Sequence, residues 1–150
     1  MKKQGRASRN ESSACFCGYK YYCIGLALYG NEAHLLELAD SGIIRILISS
    51  KVLKEARYVL EDKFNMPVDI VDGLLDGLVY ELAGVPGTEA VEIADKLVRD
   101  PKDAIILASI LTSKPDIALT GDKDLLTDEV RAVAPVCRCS DYLKKLKTEN

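Results

Sequence analysis

Apolar positions recur along the chain in two alternating patterns, and their alternation indicates an α/β protein. Short apolar runs bounded by turn-forming residues predict strands at residues 14–17, 43–48, 117–119 and 133–136. Between these runs, apolar residues recur at the three- and four-residue spacing of helices. Strands separated by helices form parallel sheets that are covered on both faces. The pattern therefore predicts a three-layer α/β/α fold with a central parallel sheet.

The expected helices each combine an apolar face with a start or stop signal. Ser49 or Ser50 is expected to cap the second helix, and Pro67 to open the third. The helix that begins at Asp100-Pro101 is apolar nearly all round, so we expect it to be buried. The apolar faces cover residues 35–39, 52–60, 71–82, 91–98 and 102–111, with a short helix expected at 124–132.

Length and composition are those of one compact domain. The chain has 150 residues, of which 48% are hydrophobic, and it shows no repeats or internal linker. Residues 1–13 are polar and without periodicity, which predicts an N-terminal tail before a single domain at 14–150. No apolar stretch is long enough to span a bilayer and no signal cleavage site is evident, so we expect a cytoplasmic protein without a membrane partner.

The formal net charge of −3 argues against a strongly basic nucleic-acid-binding domain. It does not exclude a nuclease, because clustered catalytic carboxylates need a metal ion before a phosphate can approach them. With only one histidine, His34, the chain has little basis for acid–base schemes that use a histidine pair.

The five cysteines fall into two groups, the first at residues 15–23 and the second at 137–139. Two Cys-x-Cys pairs suggest a zinc-stabilised interaction module. Structural zinc sites, however, usually space their cysteines by two to four residues. Buried thiols in strands are therefore the favoured interpretation, and the zinc module remains an alternative.

Several carboxylates are expected at the edge of the sheet where parallel strands end and ligands bind. Asp122 follows the strand at 117–119 closely, and Asp103 lies in the first turn of the buried helix. Asp100 comes one turn earlier on the same side, and Glu55 borders the apolar face of its helix.

Each of these acids alone has a local explanation, as a helix cap, a turn residue or a helix-flank acid. Together they are harder to explain, since two like charges 4 Å apart repel by about 1 kcal/mol in water and about 4 kcal/mol at an effective dielectric near 20. A divalent cation would remove that repulsion. Oxygen ligands without nearby histidine or cysteine favour Mg²⁺ or Mn²⁺, and such a site suits phosphodiester hydrolysis.

Two segments resemble the signature of PIN domains. Residues 99–109 (RDPKDAIILAS) and 118–126 (ALTGDKDLL) carry the resemblance, and residues 35–39 and 49–60 also match. The resemblance extends over roughly residues 31–145 and is strongest to the toxin components of prokaryotic toxin–antitoxin systems. It implies a PIN-like α/β/α fold, a homodimer, an antitoxin partner and metal-dependent cleavage of single-stranded RNA.

The resemblance also implies roles for individual residues. The catalytic, metal-binding acids of the family fall on Glu55, Asp103 and Asp122, and an auxiliary metal-binding acid falls on Asp124. On the substrate side, a small hydroxyl residue lining the site falls on Thr120, and a less essential acid on Asp100.

The chain departs from the family at the end of the first strand. PIN domains place their first catalytic Asp there, in an Asp-Thr-Asn motif, whereas this chain has Gly18-Tyr19-Lys20. No carboxylate occurs between Glu11 and Glu32, so the chain lacks one of the four acids. Two functions are therefore open for this chain. It is either an endoribonuclease or a catalytically inactive PIN domain that binds nucleic acid or a protein partner.

The genetic code suggests an origin for this departure. Gly-Tyr-Lys-Tyr can be encoded GGA TAC AAA TAT, which read one base later gives Asp-Thr-Asn-Ile when the next base is T. The preceding Cys-Phe-Cys can shift in the same way to Val-Phe-Val, a better buried strand. We therefore hypothesise that residues 14–30 reflect a shifted reading frame.

Overall fold

The computed structural model describes residues 13–18 and 31–149, so nearly all of the expected N-terminal tail lies outside it. Its strands are β1 (Ser13–Cys17), β2 (Ile44–Ile48), β3 (Glu81–Leu82), β4 (Ile117–Leu119) and β5 (Val136–Cys137). Its helices are α1 (Asn31–Asp40), α2 (Ser50–Tyr58), α3 (Val68–Asp76), α4 (Thr88–Leu97), α5 (Pro101–Ser113), α6 (Asp128–Arg131) and α7 (Cys139–Glu149). A π-helical turn (Val59–Lys63) continues α2, and a 3-10 turn (Lys123–Leu125) follows β4.

The five strands form one sheet in the order β3-β2-β1-β4-β5, and every pairing is parallel. The chain moves outward from β1 to β2 and β3, then crosses to the other side of β1 for β4 and β5. The direction of winding thus reverses between β1 and β4. In open parallel sheets, ligands bind beyond the carboxyl ends of the strands at such a reversal.

The centre of the sheet is covered on both faces. Cys15, Phe16 and Cys17 are consecutive in β1 and each is 0% exposed. Because successive side chains of a strand point to opposite faces, helices must cover both sides. Among these helices, α1 packs against α7 and α4 packs against α5. The expected three-layer, PIN-like α/β/α fold is confirmed.

Helix α2 begins and ends as local chemistry requires. The Ser49 hydroxyl accepts a hydrogen bond of 3.2 Å from the Val52 N–H, which confirms the expected cap. The helix then widens into the π turn, in which the Phe64 N–H donates to the Val59 carbonyl five residues earlier. Arg57 binds Glu61 and Asp72 at 2.8 Å each, which ties the π turn to α3.

Helix α5 matches the expected buried helix. The Asp100 carboxylate caps it by accepting a 2.9 Å hydrogen bond from the Lys102 N–H, and Pro101 occupies its first turn. Most of its central residues are buried, and it ends at Lys114 in the left-handed conformation. Within the described part of the chain, none of the helices has the length and unbroken apolar character that a membrane span requires.

Three boundary predictions were wrong. The apolar face expected over residues 71–82 ends with α3 at Asp76, and the edge strand β3 was not predicted. The Leu82 side chain is 60% exposed, so backbone pairing with β2, and not burial of the side chain, holds this strand in place. The helix expected at 124–132 divides because the Thr127 hydroxyl caps a new helix by accepting from the Val130 N–H. The last strand is Val136–Cys137, not 133–136, since Pro135 has no N–H to donate.

Candidate active site at the carboxyl edge of the sheet

A cleft of about 700 Å³ opens where the direction of winding reverses. Its lining comes from the residues that follow β1 and β4, from α2 and its π turn, and from the first turns of α5. All of the sequence-predicted site residues except Asp124 line this cleft. The reversal of the sheet therefore brings together residues that are far apart in the chain.

Three carboxylates form a tight group at the cleft, and we call Asp103, Asp122 and Asp124 the acid cluster. One carboxylate oxygen of each lies within 4.8 Å of those of the other two. Asp103 comes from the first turn of α5, whereas Asp122 and Asp124 lie in the segment after β4. The sequence predicts that Asp103 and Asp122 lie at the same edge of the sheet, because one is at the start of a helix and the other follows a strand.

The segment after β4 holds Asp122 in a defined position. The Asp122 N–H donates to the Thr120 hydroxyl at 3.1 Å, and the Asp122 carboxylate accepts from the Asp124 N–H at 2.9 Å. Thr120 is 3% exposed, so its hydroxyl is a fixed acceptor. Asp122 is thus the cap of the 3-10 turn as well as a member of the acid cluster, and the capping explanation does not exclude a functional one.

The acid cluster changes the titration of Asp103. Desolvation, a hydrogen bond with the Asp122 carboxyl group and the negative charges of Asp122, Asp100 and Asp124 raise the pKa of Asp103 to about 7. A hydrogen bond between two carboxyl groups requires a proton on one of them. Without a cation, the cluster therefore retains a proton well above the ordinary pKa of an aspartic acid.

The donor set fits a divalent cation. Three carboxylates from two elements offer oxygen atoms close enough to share one ion, and the ion would replace the proton that Asp103 otherwise retains. Among residues 13–18 and 31–149 this is the only group of three potential ligands with such spacing.

Glu55 lines the same cleft but is not part of the acid cluster. Its carboxylate lies 3.4 Å from the Lys51 ammonium group one helical turn earlier, and both side chains are about one-third exposed. Asp100 also lines the cleft while its carboxylate caps α5. The structure thus brings Glu55 and Asp100 to the site without placing them in the cluster.

Gly18 lies directly after β1 and lines the cleft beside β4, the strand that precedes Asp122. Its N–H donates to the Leu119 carbonyl at 2.8 Å, which continues the pairing of β1 with β4. A Cβ atom at this position would lie 3.0 Å from the Leu119 carbonyl oxygen and 3.8 Å from the Thr120 Cβ. Residue 18, where the resemblance expects the first Asp, is therefore at the cleft. Residues 19 and 20 of the replaced motif lie outside the described residues.

Sequence reasoning missed the basic and aromatic residues that line the cleft, which are Lys51, Lys54, Tyr58, Lys63 and Lys102. Lys51 and Tyr58 could have been found, because they lie four residues before and three residues after Glu55 on the same helix face. Lys102 directly precedes Asp103. Lys63 could not have been found, because its position depends on the π turn.

The cysteines of the described part do not assemble into a metal site. Cys15, Cys17 and Cys139 are buried and Cys137 is half-buried, and no three of their sulfur atoms have the spacing of metal ligands. Burial, together with the nearby Cys139 and Cys137, raises the pKa of the Cys15 thiol and keeps it protonated. The zinc alternative is wrong for these four cysteines, and Cys23 lies outside the described residues.

Comparison with known proteins identifies the fold. A chain of the crystal structure of VapBC2 from Rickettsia felis, bound to a DNA fragment from their promoter, matches with a TM-score of 0.57 and 15% sequence identity. The match covers 83% of this chain and 98% of that one. No protein-family model and no curated protein matches the sequence. At this identity the likeness shows the fold, which is the one that the PIN resemblance implied.

Proposed function

We propose that this chain is a metal-dependent endoribonuclease of PIN type that hydrolyses phosphodiester bonds of single-stranded RNA. The observation that carries the proposal is the acid cluster, in which oxygens of Asp103, Asp122 and Asp124 lie within 4.8 Å at the reversal point of the sheet. Clustered carboxylates at a ligand-binding edge suit a divalent cation and a phosphate substrate.

In this proposal the acid cluster holds Mg²⁺ or Mn²⁺, with Asp103 and Asp122 as the principal ligands and Asp124 as the auxiliary one. Such an ion lowers the pKa of a bound water and stabilises charge on the phosphate. Glu55 is a third catalytic acid, and it becomes available when Lys51 releases it. Thr120 keeps Asp122 in position, while Asp100 lies beside the substrate.

A cleavage assay tests the proposal. Single-stranded RNA is incubated with the purified protein and Mn²⁺, with EDTA, and with the variants Asp103→Asn and Asp128→Asn. Asp128 is an exposed acid of α6 that does not line the cleft, so it serves as the control. We expect cleavage that requires Mn²⁺ and Asp103 but not Asp128. Cleavage that survives Asp103→Asn would come from another nuclease and would contradict the proposal.

A second function is a PIN domain that binds nucleic acid or a protein partner without cleaving. Gly18 favours it, because a glycine at the end of β1 contributes no carboxylate to the cleft. RNA that is retained but not cut in the presence of Mn²⁺ would support this function over the first.

The partners follow from the same proposal. We infer that the chain is a cytoplasmic toxin component that forms a homodimer and binds an antitoxin protein. The fold likeness to a chain of a VapBC2 complex supports this inference. Light scattering of the purified protein measures its mass in solution, and a mass of one chain at micromolar concentration would contradict the homodimer.

A further inference from the structure

Three lysines of the cleft have no acidic partner. Lys54, Lys63 and Lys102 are exposed and line the cleft, and no carboxylate of residues 13–18 and 31–149 lies within 4.0 Å of their ammonium groups. Lys51 differs from them, because it pairs with Glu55. We call Lys54, Lys63 and Lys102 the cleft lysines. Their positive charges are available to an anionic ligand.

The π turn is what brings Lys63 to this cleft. Its i→i+5 hydrogen bond from the Phe64 N–H to the Val59 carbonyl accommodates more residues per turn than an α-helix does. Residues after Val59 therefore rotate less far around the helix axis than in an α-helix, and Lys63, like Lys54, lines the cleft. Irregular turns of this kind occur often at functional sites.

An aromatic ring lies beside these charges. Tyr58, the last residue of α2, lines the cleft and is 59% exposed. A large ring with this much exposure offers a free face in a cleft that also contains clustered carboxylates and uncompensated ammonium groups. Phe64, six residues later, is similarly exposed at 51% but does not line the cleft.

The charges of the cleft are balanced until the acids are neutralised. Four lysines and four carboxyl groups line it. Neutralising the acid cluster by a cation or by protons leaves the lysines in excess, so the cleft then attracts a polyanion. Ammonium groups that track a phosphate backbone and an exposed ring that stacks on bases are the two elements of single-strand binding sites.

We propose that the cleft lysines bind phosphate groups of a single-stranded polynucleotide while Tyr58 stacks on one of its bases. The inference rests on the proposed nuclease function for its substrate class, and it assigns residues of the cleft, outside the acid cluster, that bind the strand. A duplex is excluded as the preferred ligand, because the faces of paired bases are already stacked on one another. RNA and DNA single strands share the required chemistry.

The test separates binding from cleavage. An Asp103→Asn/Asp122→Asn double variant removes the two cluster carboxylates that line the cleft, without metal. Fluorescence anisotropy in EDTA then measures binding of a labelled unpaired 12-nucleotide RNA, the matching DNA strand and an RNA duplex. In this background we compare Lys54→Ala, Lys63→Ala, Lys102→Ala and Tyr58→Ala. The matched controls are Lys96→Ala, an exposed lysine of α4 outside the cleft, and Phe64→Ala.

We expect single strands to bind more tightly than the duplex. Each cleft-lysine variant should reduce the slope of log K against log salt concentration by about 0.7. Tyr58→Ala should weaken binding about tenfold, and Tyr58→Phe should restore it, since stacking needs the ring and not the hydroxyl. Both control variants should bind the single strand with the affinity of the double variant. Thermal unfolding verifies that every variant is folded.

Equal loss in Phe64→Ala and Tyr58→Ala, an unchanged salt slope in the cleft-lysine variants, or tighter binding of the duplex would each overturn the inference. Absence of binding by the double variant would overturn it as well. Binding with the expected pattern but no cleavage by the unmodified protein in Mn²⁺ would contradict the nuclease function alone. RNA bound more tightly than DNA identifies RNA as the ligand, and the reverse identifies DNA.

Discussion

Carboxylate oxygens of Asp103 and Asp122 lie within 4.8 Å of each other, although Asp103 comes from the start of α5 and Asp122 from the segment after β4. Desolvation of Asp103, together with its interaction with the Asp122 carboxyl group, raises the pKa of Asp103 to about 7. This raised pKa applies to the protein without a bound cation. It makes the acid cluster a proton-binding site that a metal ion competes for.

The first prediction concerns the pH dependence of stability in EDTA. The folded state binds the Asp103 proton more tightly than the unfolded chain does, so its contribution to stability is complete below about pH 4. It is lost as the pH rises through about 7. The unfolding temperature should therefore fall over this pH range, and it should fall less in the Asp103→Asn variant. An equal decline in the variant would contradict the raised pKa.

The second prediction concerns metal binding. Mn²⁺ should raise the unfolding temperature more at pH 8 than at pH 5, because the cation must displace the Asp103 proton. The effect should disappear in Asp122→Asn and persist in Asp128→Asn, whose residue is exposed on α6. A calorimetric titration of each variant measures its affinity for Mn²⁺, and equal affinities for the two variants would contradict the assigned ligands.

The third prediction concerns Gly18→Asp. The new carboxylate should strengthen Mn²⁺ binding by about tenfold, or about 1.4 kcal/mol, and increase RNA cleavage. Its Cβ would lie 3.0 Å from the Leu119 carbonyl oxygen, so the backbone must move by a few tenths of an ångström. Gly18→Ala imposes the same Cβ without a charge and is the control. A gain in the alanine variant equal to that in Gly18→Asp would show that the carboxylate is not the cause.

The fourth prediction concerns Lys51→Met. The ion pair of Lys51 with Glu55 is partly exposed, so its loss should change the free energy of unfolding by less than about 1 kcal/mol. Releasing Glu55 should nevertheless strengthen Mn²⁺ binding, because a carboxylate of the cleft no longer has a competing cation. Lys51→Met combined with Glu55→Gln is the matched test, and a gain that persists in this double variant would show that Glu55 is not responsible.

The fifth prediction concerns the gene. If residues 14–30 reflect a shifted reading frame, the codons of Gly18 to Tyr22 read one base later should encode Asp-Thr-Asn-Ile. DNA sequencing of the locus measures this directly. Codons that do not allow Asp-Thr-Asn in the neighbouring frame would contradict the hypothesis. The structure describes residues 14–18 of this segment and not residues 19–30.

Sequence alone predicted the parts of the fold that depend on local chemistry and burial. Ser49 and Asp100 were recognisable as caps, and the all-apolar helix at 102–111 had to be buried. The approach of Asp103 to Asp122 followed from their positions at the ends of elements in a parallel sheet. These features need only a short window of sequence and a general rule about sheets.

The missed features depend on contacts between distant segments. Strand β3 is two residues long and exposed, and only pairing with β2 defines it. Lys63 reaches the cleft through a π turn, which leaves no periodic signal in the sequence. Sequence reasoning also could not separate Glu55 from the acid cluster, because its pairing with Lys51 is a matter of side-chain conformation.

Strand β1 has a consequence for how this chain tolerates change. Its backbone pairs with β2 and β4, and its side chains need only be apolar and of suitable size, so many sequences can occupy the centre of the sheet. The residue that follows it, Gly18, has no such latitude if the cleft is to hold a complete set of acids. Architecture is thus spread over many interchangeable residues, whereas a complete set of acids depends on one position. A substitution at residue 18 would change the acids of the cleft while leaving the buried strand before it as it is.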